Sequence, residues 1–156
     1  MNKVFSRIGA LTLLSASAIG LVGCGTGSKI AKMGIDQYFL LDTVMPELSI
    51  TSAYFISYTE EAYKDTYLVS YDITTNGFAG YMDFYYDDST TEFTIEGIMA
   101  TTQAEFDDSA YQSALPNWQS EYEDIVYAEQ HIDEYPGYKI EKLNARELNS
   151  YIRSVS

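Results

Sequence analysis

The chain has 156 residues, 46% of them hydrophobic, which suits one compact globular domain and excludes wholesale disorder. Its 23 acidic residues outnumber 9 Lys plus Arg, for a formal charge of −14. A surface this negative repels phosphate backbones; that argues against nucleic-acid binding and leaves cationic partners open.

The chain opens with a basic start, Lys3 and Arg7, followed by an apolar stretch from Ile8 to Val22 broken only by small residues such as Ser15, Ser17 and Gly20. A membrane-spanning helix takes about 20 predominantly apolar residues, so this stretch is too short and too interrupted to be one. It ends in Leu21-Val22-Gly23-Cys24. Those four residues resemble the lipobox of bacterial lipoproteins: a branched apolar residue, a small or branched one, Gly or Ala, then Cys. The resemblance implies that residues 1–23 are a signal peptide cut after Gly23. It further implies a diacylglycerol thioether on the Cys24 sulfur and, in many bacteria, an N-acyl chain such as palmitate on the new amino group. Two or three acyl chains anchor stably where one binds only marginally. In a Gram-negative cell, Gly25 in place of Asp after the cysteine points to the outer membrane, facing the periplasm. In a single-membrane cell the same anchor implies the outer face of the cytoplasmic membrane. No cofactor is expected beyond this covalent lipid. The resemblance extends over the first 24 residues and identifies a class of cell-envelope protein, not a family for the rest.

Removing Lys3 and Arg7 with the signal leaves seven bases against 23 acids, a net −16. Cys24 is the only cysteine, so once lipidated it leaves the domain without a disulfide. Residues 24–34 read as the lipidated cysteine and a flexible tether, small and polar, with Lys29 and Lys32 near the headgroups. Residues 35–156 then form a single acidic domain.

Asn76-Gly77 is a strong two-residue hairpin signal between Asp65–Ile73 and Phe78–Tyr86. That turn pairs Ile73 with Gly80, Tyr71 with Met82, Val69 with Phe84 and Tyr67 with Tyr86. One face is then apolar, and the other carries Asp72, Ser70, Asp83 and Asp87 with Leu68, Tyr81 and Tyr85. A loop at 88–91 extends the apolar face by pairing Tyr86 with Phe93 and Phe84 with Ile95. Leu48, Ile50, Tyr54, Ile56 and Tyr58 alternate along a preceding strand. Residues 48–99 thus predict a four-stranded antiparallel meander in an α+β domain, covered by C-terminal helices. Thr102 and Glu105 form a capping box for a helix that Pro116 stops. Trp118, Tyr122, Ile125 and Val126 suit a second helix, with Asp124–Ala128 open as a strand. Pro136-Gly137 is a turn. Asn144 and Glu147 cap a last helix, on which Leu143 staples to Leu148, with Tyr151, Ile152 and Val155 following at helical spacing.

Sites of chemistry are sparse in this sequence. Its single His131 sits in an acidic stretch beside a turn, where a solvated side chain is the plainer reading than a general base. One His supplies too few ligands for zinc. Residues 72–83 superficially match a calcium loop, but Thr74 replaces an acid, Asp83 replaces the bidentate Glu, and the hairpin explains the same residues. Asp87, Asp88 and Glu92 are weak cation ligands at the next loop. Leu68, Tyr81 and Tyr85, among acids, are a candidate binding surface, unless helices cover that face too. The reading is a non-enzymatic, membrane-anchored module with a protein partner, cationic in character. The alternatives are a small-ligand or glycan binder and, third, a carboxylate-dependent hydrolase.

Overall fold

The computed structural model describes residues 11–14, 25–41 and 47–155. Leu21, Val22, Gly23 and Cys24, with Lys3 and Arg7, lie outside the described residues. In chain order the elements are β1 (Leu11–Leu14), α1 (Thr26–Leu41), β2 (Leu48–Tyr58), β3 (Thr66–Thr75) and β4 (Phe78–Asp87). β5 (Glu92–Ile98), α2 (Gln103–Phe106), α3 (Ser109–Gln130), β6 (Tyr138–Lys142) and α4 (Ala145–Val155) complete them.

The fold is α+β, with a sheet ordered β1-β5-β4-β3-β2-β6 and every neighbouring pair antiparallel. Asn76 (φ 54°) and Gly77 (φ 83°) both take the left-handed conformation that a two-residue type I′ turn requires. That turn sets the register expected: Tyr71 faces Met82, Val69 faces Phe84, and Phe84 in turn faces Ile95.

The four expected strands are joined by β6 along the free edge of β2 and by the short β1 along β5, where Leu11 lies opposite Ile95. β1 falls within the apolar stretch read as the export signal. β6 carried too weak an alternation to be read as a strand. Only Ile140 within it is half-buried, and its pairing with Ile56 supplies the backbone partners that make it a strand.

β2 holds a bulge between Ile50 and Ser52. The extra residue, Thr51, interrupts the period of two, so side chains on either side of it exchange faces. Leu48 and Ile50 therefore pack with Ala53 and Phe55 on one face, whereas Tyr54 and Ile56 pack on the other. The alternation expected from Leu48 to Tyr58 is therefore not continuous: it changes face at Thr51.

The first sheet face buries Val69, Tyr71, Ile73, Met82, Phe84 and Tyr86 against α1 and α4. Helix α1 replaces the expected tether. Ile30, Ala31, Ile35 and Tyr38 recur at helical spacing and are all buried. The glycines that suggested flexibility make room for contact instead. A Cβ on Gly34 would stand 2.6 Å from the Tyr71 hydroxyl and 2.9 Å from Phe84, and one on Gly27 would stand 2.9 Å from Phe55. Tyr71 donates to the Ala31 carbonyl at 2.7 Å, locking helix to sheet. Lys32 pairs with Glu147 of α4 at 3.0 Å, and Tyr151 of α4 donates to Asp36 at 2.7 Å. Cover of this face is thus shared between an N-terminal and a C-terminal helix.

Helix α4 opens as expected, with Asn144 accepting from the Glu147 N–H at 3.2 Å. Its Asn149 accepts from the Ile50 N–H at 2.7 Å and donates to the Ile50 carbonyl at 2.9 Å. One side chain thereby satisfies the β2 edge beyond the end of β6, where no strand partner remains among the described residues.

The second face is covered by α3. Thr102 caps the short α2 as expected, and the rest of the first expected helix belongs to α3. Pro116 does not stop α3, which runs through it and takes in the second expected helix and residues 124–128. An interior proline costs roughly 3 kcal/mol. Burial of Tyr111 and Tyr122 on the sheet, with Asp108 capping the Ala110 and Tyr111 N–H groups, outweighs it.

Candidate functional site

On the second face, β3 and β4 set side chains in cross-strand rows: Asp72 beside Tyr81, Ser70 beside Asp83, Leu68 beside Tyr85. Helix α3 crosses this face, anchored where Tyr122 meets the rings of Tyr54 and Tyr81 at 5.7 and 5.5 Å. The Tyr122 hydroxyl is bonded to Ser52 at 2.6 Å. Beside that anchor the helix leaves a cleft of about 260 Å³. Its floor is Leu68, Ser70, Tyr81, Asp83 and Tyr85, and its wall includes Trp118, Glu121 and Ile125 of α3. The three residues singled out in sequence, Leu68, Tyr81 and Tyr85, are thus brought together, although a helix covers part of their face.

Asp83 is the chemical centre of the cleft. The Ser70 hydroxyl donates to its carboxylate, and Tyr85 bonds to it from two residues along the strand. Burial raises the Asp83 carboxyl to about 6; the Ser70 bond works against the rise, and the charges of Glu121 and Glu96 add to it. Tyr85 is pushed well up by burial, then by Asp83 and Glu96. Tyr122 is raised chiefly by burial, with Asp72 contributing. The ionisable groups acting on Asp83 and Tyr85 are all acids, carboxylates and the Tyr58 phenol, so the cleft holds a negative potential within aromatic walls.

The other candidates lie elsewhere. The Asp87 carboxylate accepts from Ser89 N–H at 2.9 Å and Ser89 hydroxyl at 2.6 Å, which organises the β4–β5 loop. Glu92 sits opposite Asp87 in the ladder, and Asp88 donates its N–H to the Asp65 carbonyl. Among the described residues, no group of three or more His, Cys, Asp or Glu is arranged to hold a metal ion. Asp72 and Asp83 stand on opposite strands of the hairpin rather than in a cation loop. His131 ends α3, exposed, its ring stacked on Tyr127 at 4.0 Å and its Nδ1 2.9 Å from the Tyr127 carbonyl.

A second hollow, open and about 500 Å³, lies at the far end of β2 and β6. Tyr58 forms its floor, with the rings of Tyr63 and Tyr138 at 5.9 and 5.5 Å. Both outer rings are exposed, Tyr63 to 54%.

Read from sequence, Trp118 has a place on a helix but no role in a site, Glu121 and Asp124 have no such role, and Asp83 falls on the acidic face and at the end of a calcium-like loop. A signal existed on the helix, because Trp118, Glu121, Tyr122 and Ile125 recur at the spacing that shares one side. No protein-family model, curated protein or solved structure matches the chain.

Proposed function

We propose that this chain is a non-enzymatic, membrane-anchored envelope lipoprotein that binds a protein partner through the cleft beneath α3. The anchor half of the reading rests on Leu21-Val22-Gly23-Cys24. Among the described residues, no helix is long and apolar enough to cross a membrane. The binding half rests on one observation: Leu68, Tyr81 and Tyr85 share a cleft with Trp118 on a face where α3 leaves part of the sheet open. Partly buried aromatic side chains are the usual anchors of protein interfaces.

Because α1 begins at Thr26, a lipid on Cys24 would hold the domain close against the bilayer instead of on a tether. Gly27 packs against Leu143, so the starts of α1 and α4 and the end of β6 meet at that point. Five of the seven bases after Cys24 belong to these segments: Lys29, Lys32, Lys139, Lys142 and Arg146, alongside Glu141 and Glu147. That balance is favourable beside anionic headgroups for a chain that is otherwise strongly acidic.

The test is a cross-linking pulldown from native membranes with the wild type, Trp118→Ala and Cys24→Ser. The wild type should recover a partner that Trp118→Ala loses, and Cys24→Ser should leave the membrane fraction. Equal recovery by Trp118→Ala, or no partner above background, sinks the binding half. Membrane retention and palmitate labelling of Cys24→Ser sink the anchor. A second reading, glycan binding, is favoured by the exposed rings of Tyr63 and Tyr138 around Tyr58.

A further inference from the structure

Taking the cleft beneath α3 as the site that binds the protein partner, we propose that its occupant is a Lys side chain of that partner, for which a primary alkylammonium stands in. Four features of the molecule converge on this chemistry. The carboxylate of Asp83 lies at the cleft floor, with Glu121 and Asp124 on the helix side. The charged groups that bear on it, Glu121 and Glu96, have its own sign. A half-buried carboxylate among carboxylates is held in an unfavourable field, which an incoming cation relieves and an incoming anion or neutral group does not. Such a field is strong because the site is partly shielded from water.

The walls suit the same guest. Tyr81, Tyr85, Trp118 and Tyr122 line the cleft, and aromatic rings attract cations while covering the methylene stem of an aminoalkyl group. Leu68 and Ile125 add apolar surface for that stem. Size is the third constraint. At about 260 Å³ the cleft falls below the ~300–1,000 Å³ of drug-sized ligand pockets, so it fits a single side chain or small amine rather than an oligosaccharide. The fourth is the acceptor capacity of the carboxylate, which with about four lone-pair sites exceeds the two hydroxyls, Ser70 and Tyr85, bonded to it. Ser70 takes one Asp83 oxygen, Oδ1. An ammonium has three donors and no acceptor, which matches a carboxylate floor.

The experiment uses Trp118, the only tryptophan of the chain, as a reporter seated in the cleft itself. Its emission is followed in the detergent-solubilised full chain during titration with n-butylammonium, n-butanol and butyrate. A saturable change is expected with n-butylammonium alone, with Kd on the order of 1 mM. Asp83→Asn keeps the shape and an oxygen acceptor for Ser70, and should weaken that response by at least about tenfold. Glu121→Gln, at an exposed helix position, should weaken it to a smaller extent. Equal responses to n-butanol, or an unchanged response in both variants, would overturn the proposal. A partner recovered by pulldown in a Trp118-dependent way, without any response to n-butylammonium, would remove the cationic ligand and leave the binding module standing.

Discussion

Ser70 donates its hydroxyl to Asp83 directly across the β3–β4 pair, so a neutral side chain holds a half-buried acid whose ionic neighbours are acids. Ser70 itself is 1% exposed. The pair is a cost in folding that a solvated surface carboxylate would not carry, and such costs concentrate where a site is kept for binding.

That cost has a pH signature. The Asp83 carboxyl titrates at about 6 in the fold against an ordinary 3.8. Below 3.8 it is protonated both folded and unfolded, and the penalty is absent. The penalty grows as pH rises from 3.8 to about 6 and is complete above, at about 3 kcal/mol. Asp83→Asn should therefore stabilise the protein by up to that amount at about pH 8 and leave it nearly unchanged at about pH 3.5. Denaturant melts at the two pH values measure the difference. An equal effect at both would mean that the carboxylate is not held in a costly environment.

Gly34 should tolerate no side chain. Gly34→Ala places a methyl into the Tyr71 hydroxyl and Phe84, and threatens the bond from Tyr71 to the Ala31 carbonyl. We expect a loss of about 1–3 kcal/mol in thermal or urea unfolding. A flexible tether predicts a change within about 0.5 kcal/mol, so this one variant separates packed helix from linker.

Thr75 is fully buried, and its hydroxyl has no hydrogen-bond partner among the described residues. Thr75→Val keeps the branched shape suited to a strand and removes the unpaired group. It should raise stability by about 1 kcal/mol. A drop in the unfolding midpoint would show that the hydroxyl is satisfied in solution.

The sequence by itself determined the centre of the molecule. Asn76-Gly77 dictates a turn, the turn dictates the register, and the alternation around it assigns Val69, Tyr71, Phe84 and Ile95 to one face and Leu68, Tyr81 and Tyr85 to the other. These are local rules of backbone geometry, acting within one or two strands. Tertiary structure decided the rest. Thr51 reverses the faces of β2 because a bulge is defined by the partner strand, not by the bulged strand alone. Gly27 and Gly34 read as flexibility until Phe55, Tyr71 and Phe84 show what they leave room for. Pro116 stays helical because Tyr111 and Tyr122 bury against a distant sheet. The cleft belongs to this second kind: Asp83 and Trp118 are far apart in the chain, and only the path of α3 across the second face brings carboxylate and indole into one site.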